Sequence, residues 1–167
     1  PGRIYNVHIR DLDEYIHFVR EAIQTEKNKG AVSLKSALAY DRDLCFRETA
    51  KEKAQKVFGI HGRDPSREDI RAFQDYVFFK ICEIAAELDM PLQCHTGLGQ
   101  LQDTNAMAMR EVIEKNPDTR FVLFHCGYPW LDDVNGLLHV YPNVYPDLCW
   151  LPLISTSAAK RMLHELL

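Results

Sequence analysis

The spacing of apolar residues alternates between helical and extended patterns along most of the chain. Apolar positions at Leu12, Ile16, Val19 and Ile23 recur at steps of three or four, which predicts an amphipathic helix over residues 11–26. Similar patterns predict helices at 104–115, 131–140 and 157–167. Short, largely apolar runs between the helical segments predict strands at 3–9, 31–40, 90–95, 120–125 and 143–148.

The strongest helical signal begins after Ser66, which Asp69 follows at the spacing of a capping box. Pro91 sets the latest point at which this helix can stop. The charged stretch 41–65 before it predicts only a short helix and a loop. The apolar positions of the long helix repeat at steps of three or four, at Ile70, Phe73, Val77, Ile81, Ile84 and Leu88.

Strands that alternate with helices indicate an α/β protein with a parallel sheet. The strands are apolar along their length, which is typical of a sheet with both faces buried. Two architectures fit, an open doubly wound sheet and a barrel. No GxGxxG, P-loop or GxSxG motif is present, so a nucleotide-binding fold and a nucleophile elbow lack support. A complete barrel needs about 250 residues, so we expect residues 1–167 to form a single domain that is part of a larger (β/α)8 barrel.

Composition and charge exclude several classes of partner. The net charge is −4 and the pI is about 6.0, which argues against binding to nucleic acid or to an anionic membrane. No apolar run of about 18 residues predicts a membrane span. The five cysteines are odd in number and form no CxxC pair, which favours a cytoplasmic protein over a secreted disulfide framework.

The candidate chemistry lies at the carboxyl ends of the predicted strands, where parallel α/β proteins build their active sites. His95 and His125 each end a strand, and a glycine follows each within two residues. Imidazole is the commonest neutral metal ligand and the usual general acid or base. Other polar or aromatic groups at this edge, each open to a structural or surface role instead, are Lys35, Tyr40, Arg42, Asp147 and Trp150.

Several segments resemble the amidohydrolase-related enzymes, most closely the amidohydrolase 2 branch with its uronate isomerase-like and decarboxylase-like members. That branch also includes the amidohydrolase half of some glutamine synthetase fusions. The resemblance spans roughly residues 28–167, and the two histidine motifs are its most specific part. The segments that carry it are Lys35–Ser36, Ala39–Arg42, Pro91–Gly97, Phe124–Trp130 and Tyr141–Leu148.

The resemblance implies a (β/α)8 barrel with one or two divalent metals, of which this chain would span about strands three to seven. It assigns His95 as a metal ligand, and His125 as a second-metal ligand or a catalytic acid and base. Lys35 falls where a catalytic lysine can be carboxylated. The family's His-x-His motif and an aspartate beyond residue 148 are missing from the sequence. We therefore expect zinc as the cofactor of a full-length enzyme, and weak metal binding and no turnover by this chain alone.

Three functions follow as hypotheses. The first is a metal-dependent hydrolase that cleaves C–N or C–O bonds, or a related decarboxylase or isomerase, acting on a small carboxylate or amide. Tyr40, Arg42, Asp147 and Trp150 would then contact the substrate. The second is a non-catalytic barrel module, such as a regulatory half of a fusion protein. The third is a doubly wound enzyme without metal. A partial barrel also leaves sheet edges open, which predicts an oligomer.

Overall fold

The computed structural model describes residues 9–58 and 64–167. The strand predicted at 3–9 lies outside the described residues except at Ile9, which has no regular structure. The other four predicted strands are present and form one parallel sheet in the order β1-β2-β3-β4. They are β1 Leu34–Ser36, β2 Leu92–Cys94, β3 Phe121–Leu123 and β4 Val144–Pro146.

Seven α-helices occur in the described residues and connect or flank the strands. They are α1 Leu12–Asn28, α2 Lys51–Ala54, α3 Arg67–Glu87, α4 Arg110–Lys115, α5 Leu131–Val140, α6 Leu151–Ile154 and α7 Thr156–Glu165. Turns of 3-10 helix cover Leu38–Tyr40, Gln55–Phe58, Ala106–Met109 and Phe124–Gly127. No helix in the described part of the chain is long and apolar enough to cross a membrane.

Side-chain caps fix the starts of three helices, α1, α3 and α7. Ser66 accepts a hydrogen bond from the Asp69 amide at 3.1 Å, so the predicted start of α3 is confirmed. Asp11 caps α1 in the same way at 2.9 Å, and Ser155 caps α7 at 3.3 Å. Each cap satisfies an amide that has no partner within its helix.

Each strand is only three residues long, shorter than predicted, because the chain turns at the carboxyl edge of the sheet. After β1 the predicted strand 31–40 becomes the 3-10 turn Leu38–Tyr40. After β3 the predicted strand 120–125 turns at Phe124. Each apolar run therefore includes the strand and the first residues of the turn that follows it. Apolar periodicity alone cannot show where the strand ends and the turn begins.

The two faces of the sheet differ in burial, so the expectation that both are covered is wrong for these strands. One face packs on α3, α4, α5 and α7 and forms the main core with side chains such as Leu92, Phe121 and Leu123. The other face carries the register row Lys35, Gln93, Val122 and Tyr145, of which Lys35 and Tyr145 are exposed. Helices on one face only are typical of a barrel wall and not of a doubly wound sheet.

Candidate metal centre

The two histidines meet at the carboxyl edge of the sheet. His95 directly follows β2, and His125 lies in the 3-10 turn after the neighbouring strand β3. His95 Nδ1 and His125 Nε2 are 3.3 Å apart, and the ring centroids are 4.7 Å apart. Both side chains are buried, at 6% and 7% exposed. The juxtaposition expected from the two strand ends is therefore present.

Backbone carbonyls fix which nitrogen of each ring carries hydrogen. His95 Nε2 lies 2.6 Å from the Leu98 oxygen, and His125 Nδ1 lies 2.6 Å from the Cys149 oxygen. A carbonyl can only accept, so each of these nitrogens is the protonated donor of its ring. In the neutral rings the lone pairs are then on His95 Nδ1 and His125 Nε2, the two atoms that face each other. A carbonyl that orients imidazole in this way is the usual support for a metal ligand.

The spacing of these lone pairs fits two positions of a metal site. Tetrahedral zinc with Zn–N bonds of about 2.0–2.1 Å has ligand atoms roughly 3.3–3.4 Å apart. The observed separation of 3.3 Å matches that edge. Within residues 9–58 and 64–167, no group of three His, Cys, Asp or Glu side chains is placed to hold an ion. Among the described residues, the candidate ligands at this edge are therefore the two imidazoles.

Burial favours the neutral, ligand-competent form of His95. Desolvation lowers its pKa, and the nearby Lys35 ammonium lowers it further. The hydrogen bond to the Leu98 oxygen acts in the opposite direction. At neutral pH the ring is therefore ready to offer Nδ1 to a cation.

Left-handed backbone places His125 in the site. His125 has φ 60° and Cys126 has φ 46°, a conformation that costs about 1–3 kcal/mol for residues other than glycine. The Cys126 amide donates to the Asp147 oxygen at 3.0 Å, and the Thr96 hydroxyl donates to the Phe124 oxygen at 2.8 Å. These bonds join the loops after β2, β3 and β4 and hold the turn in place.

Lys35 lies on the less covered face of the sheet, one strand from His95. Its Nζ is 2.9 Å from the centroid of the Phe124 ring. Although the residue is exposed, partial burial of its ammonium end lowers the pKa of Lys35, and nearby Asp147 opposes that shift. The position is compatible with a role at the site, and carboxylation of Lys35 stays a prediction.

Tyr40 joins the histidine pair, and Arg42 does not. The Tyr40 hydroxyl is 3.3 Å from His95 Nδ1. Arg42 is 8% exposed, and its guanidinium donates to Asp75 Oδ1 at 2.7 Å and to Gln74 at 3.1 Å on α3. Those bonds favour a structural role for Arg42, so its predicted contact with substrate has no support from its surroundings.

Asp147 and Trp150 lie in the loop after β4. The Asp147 carboxylate accepts a hydrogen bond from the Cys149 amide at 2.5 Å, so it orders the turn whose Cys149 oxygen holds His125. Trp150 is 66% exposed and has φ 64°. Substrate contact by either residue stays a prediction. Sequence reasoning missed the carbonyls of Leu98 and Cys149, because a backbone oxygen leaves no signal in residue type.

The cysteines next to the histidines are buried thiols and not candidate ligands. Burial raises the pKa of Cys94 to about 12 and that of Cys126 to about 11. All five cysteines are free. Cys94 and Cys126 are 2% and 0% exposed and pack as small core residues.

A parallel sheet with helices on one face and polar side chains at its carboxyl edge is the arrangement of a segment of a (β/α)8 barrel. The chain belongs to the amidohydrolase family, whose family model matches residues 34–165. The resemblance found in the sequence is therefore confirmed over all four strands.

Two curated relatives share part of this sequence. Protein fluG of Emericella nidulans is 40% identical over 80 residues, which is 45% of this chain and 9% of that protein. The uronate isomerase of Bacillus subtilis is 34% identical over 80 residues, which is 47% of this chain and 16% of that enzyme. The match thus spans less than a fifth of either relative.

Two crystal structures share the fold. A proposed metal-dependent hydrolase from Lactobacillus casei superimposes with a TM-score of 0.76 at 24% identity, over 94% of this chain and 43% of that one. The uronate isomerase from Thermotoga maritima superimposes with a TM-score of 0.66 at 15% identity, over 87% of this chain and 37% of that one. The architecture is therefore that of part of an amidohydrolase-type (β/α)8 barrel, as predicted.

Proposed function

We propose that this chain supplies two imidazole ligands, His95 Nδ1 and His125 Nε2, to a zinc centre in an amidohydrolase-type enzyme. The observation that carries the proposal is that these two unprotonated nitrogens face each other at 3.3 Å. The other nitrogen of each ring donates to a backbone carbonyl at 2.6 Å, which fixes the orientation of the ring. Membership of the amidohydrolase family supports a divalent metal at this edge. Imidazole suits zinc well.

The residues of the chain would divide the work around such an ion. A bound divalent metal supplies Lewis acidity toward a carbonyl and lowers the pKa of water. His95 stays neutral through burial and remains a ligand. His125 is a ligand or moves a proton at Nε2, and the Lys35 ammonium supplies positive charge on the same side of the sheet. The substrate class we infer is a small carboxylate or amide, and the reaction is hydrolysis of a C–N or C–O bond or a related decarboxylation or isomerisation.

Cobalt titration tests the ligand assignment on this chain. His95→Ala and His125→Ala should each weaken Co²⁺ binding at least about tenfold and abolish the visible absorption of a nitrogen-coordinated ion. His139→Ala, on the exposed side of α5, is the matched control and should bind like the unaltered chain. Equal Co²⁺ affinity in all four proteins would overturn the proposal.

One observation favours a second function, a non-catalytic barrel module. Only two protein ligands converge within the described residues, whereas catalytic zinc sites have three. A module would bind Co²⁺ weakly through the histidines, and the full-length protein would turn over no carboxylate or amide substrate. Turnover that His95→Ala abolishes would reject the module.

We place the protein in a reducing compartment, the cytoplasm. The support is that all five cysteines are free and that three of them, Cys82, Cys94 and Cys126, are buried in the core.

A further inference from the structure

Tyr40 contacts the same nitrogen of His95 that we assign to the metal. Its hydroxyl lies 3.3 Å from His95 Nδ1, and the two rings are tilted by 43° with centroids 4.4 Å apart. His95 Nε2 already donates to the Leu98 oxygen, so Nδ1 of the neutral ring can only accept. The Tyr40 O–H is therefore a hydrogen-bond donor directed at the lone pair that a cation would use.

The backbone that carries Tyr40 is fixed to the loop that carries His95. The Gln100 side chain donates from Nε2 to the backbone oxygen of Tyr40 at 2.7 Å. The backbone N–H of Gln100 donates to the backbone oxygen of Ala39 at 3.1 Å. Gly99 approaches the Ala39 backbone so closely that a Cβ at this position would overlap it. The turn Leu38–Tyr40 is thus attached to the loop after β2 through its backbone, even though the Tyr40 side chain is 54% exposed.

A second attachment anchors the same turn from the other side. Arg42, two residues after Tyr40, forms a buried ion pair with Asp75 of α3 at 2.7 Å. Arg42 Nε also donates to the backbone oxygen of Asp43 at 3.0 Å. Since breaking a buried pair is costly, the turn has little freedom to withdraw Tyr40 from His95.

We propose that the Tyr40 hydroxyl has two alternative hydrogen-bond acceptors, which are His95 Nδ1 in the metal-free protein and a substrate oxygen in the metal-bound protein. In the metal-free protein the Tyr40 O–H donates to His95 Nδ1 and so competes with the cation. When Nδ1 binds a metal, the hydroxyl is released beside the site and donates to a carboxylate or carbonyl oxygen. The inference rests on the proposed zinc function, and it assigns to Tyr40 a role as neutral donor and not as ligand.

The first test needs no metal. In uniformly ¹⁵N-labelled chain, Tyr40→Phe should move the His95 Nδ1 resonance downfield, because an unprotonated imidazole nitrogen loses its donor. Tyr145→Phe, an exposed tyrosine on β4, is the matched control and should leave it unchanged. An unchanged His95 Nδ1 resonance in Tyr40→Phe would overturn the hydrogen bond and with it the proposal.

The second test measures competition directly. Tyr40→Phe should bind Co²⁺ about fivefold more tightly than the unaltered chain, the fold-change that corresponds to a hydrogen bond worth about 1 kcal/mol. Equal or weaker binding would overturn the role as competitor. If His95→Ala binds Co²⁺ as well as the unaltered chain, the zinc proposal itself fails. The ¹⁵N measurement still decides separately whether the Tyr40 hydroxyl donates to His95 Nδ1.

The third test addresses the substrate oxygen. With Zn²⁺ bound, acetohydroxamate should bind about fivefold more weakly to Tyr40→Phe than to the unaltered chain or to Tyr145→Phe, because the released hydroxyl is missing. Equal acetohydroxamate affinity in the three proteins would reject donation by Tyr40 to a bound carbonyl.

Discussion

At the scale of single residues, the centre depends on backbone positions that few side chains tolerate. His125 and Cys126 adopt left-handed φ, and Gly97 has φ 77° in the loop after β2. A Cβ added at Gly97 would overlap the backbone oxygen of Tyr128, which lies in the loop after β3. The two histidine loops are therefore in backbone contact, and the glycine that follows His95 makes this approach possible.

Replacement of this glycine should separate the two loops. Gly97→Ala combines a left-handed φ with an overlap on backbone, so we expect the free energy of unfolding to fall by at least about 2 kcal/mol. Urea denaturation followed by circular dichroism measures it. Gly136→Ala is the matched control, since Gly136 lies in α5 with open space around it. That variant should gain roughly 0.5–1 kcal/mol from helix propensity, and an equal loss in both would contradict the argument.

At the scale of elements, the loop after β1 is attached to α3 by charge. Asp43 pairs with Arg71 through both carboxylate oxygens, and Arg42 pairs with Asp75 at 2.7 Å. The Arg71 guanidinium holds the pKa of Asp43 below its usual 3.8. Asp43 is partly exposed, so solvent weakens this pair to less than about 1 kcal/mol, whereas the Arg42 pair is buried. Together they orient the segment that follows Tyr40.

The Asp43 pair makes stability depend on acid in a defined direction. Because the folded pKa of Asp43 is depressed, the pair stabilises the fold above about pH 4 and loses this effect as pH falls through the folded pKa. The difference in free energy of unfolding between the unaltered chain and Asp43→Asn should therefore shrink between pH 5 and pH 3. In an Arg71→Gln background the same substitution should show a weaker trend, because only the Cys45 amide and Arg42 then lower the pKa of Asp43. A difference that stays constant with pH in the unaltered background would refute this assignment.

At the scale of the whole molecule, the described sheet is covered on one face only. Strands β1 and β4 each pair on one side within the described residues, and the row from Lys35 to Tyr145 faces away from the helices. Sheet edges with free amides and carbonyls pair readily with other chains. The expected oligomer stays a prediction, which this open surface supports.

We expect the chain to self-associate in a concentration-dependent way, with the open sheet face in the contact. Tyr145→Lys places a charge on edge strand β4 and should shift sedimentation toward monomer. Val140→Lys, at the exposed end of α5 and not part of any strand, should sediment like the unaltered chain. A stable monomer of the unaltered chain at every concentration would disprove the prediction.

The sequence by itself determined the order and type of the elements and the residues that could carry chemistry. Apolar periodicity and the cap at Ser66 predict α3, because these signals are local. Parallel topology then brings the ends of β2 and β3 to one edge, which predicts that His95 and His125 approach each other.

Only the tertiary structure decided how far each strand extends, which carbonyls orient the imidazoles, and which candidates join them. Tyr40 and Arg42 are two residues apart, yet the first contacts His95 and the second pairs with Asp75. Periodicity cannot separate these two outcomes. They depend on contacts with residues far away in the sequence, made only when α3 and the loop after β2 pack around the turn.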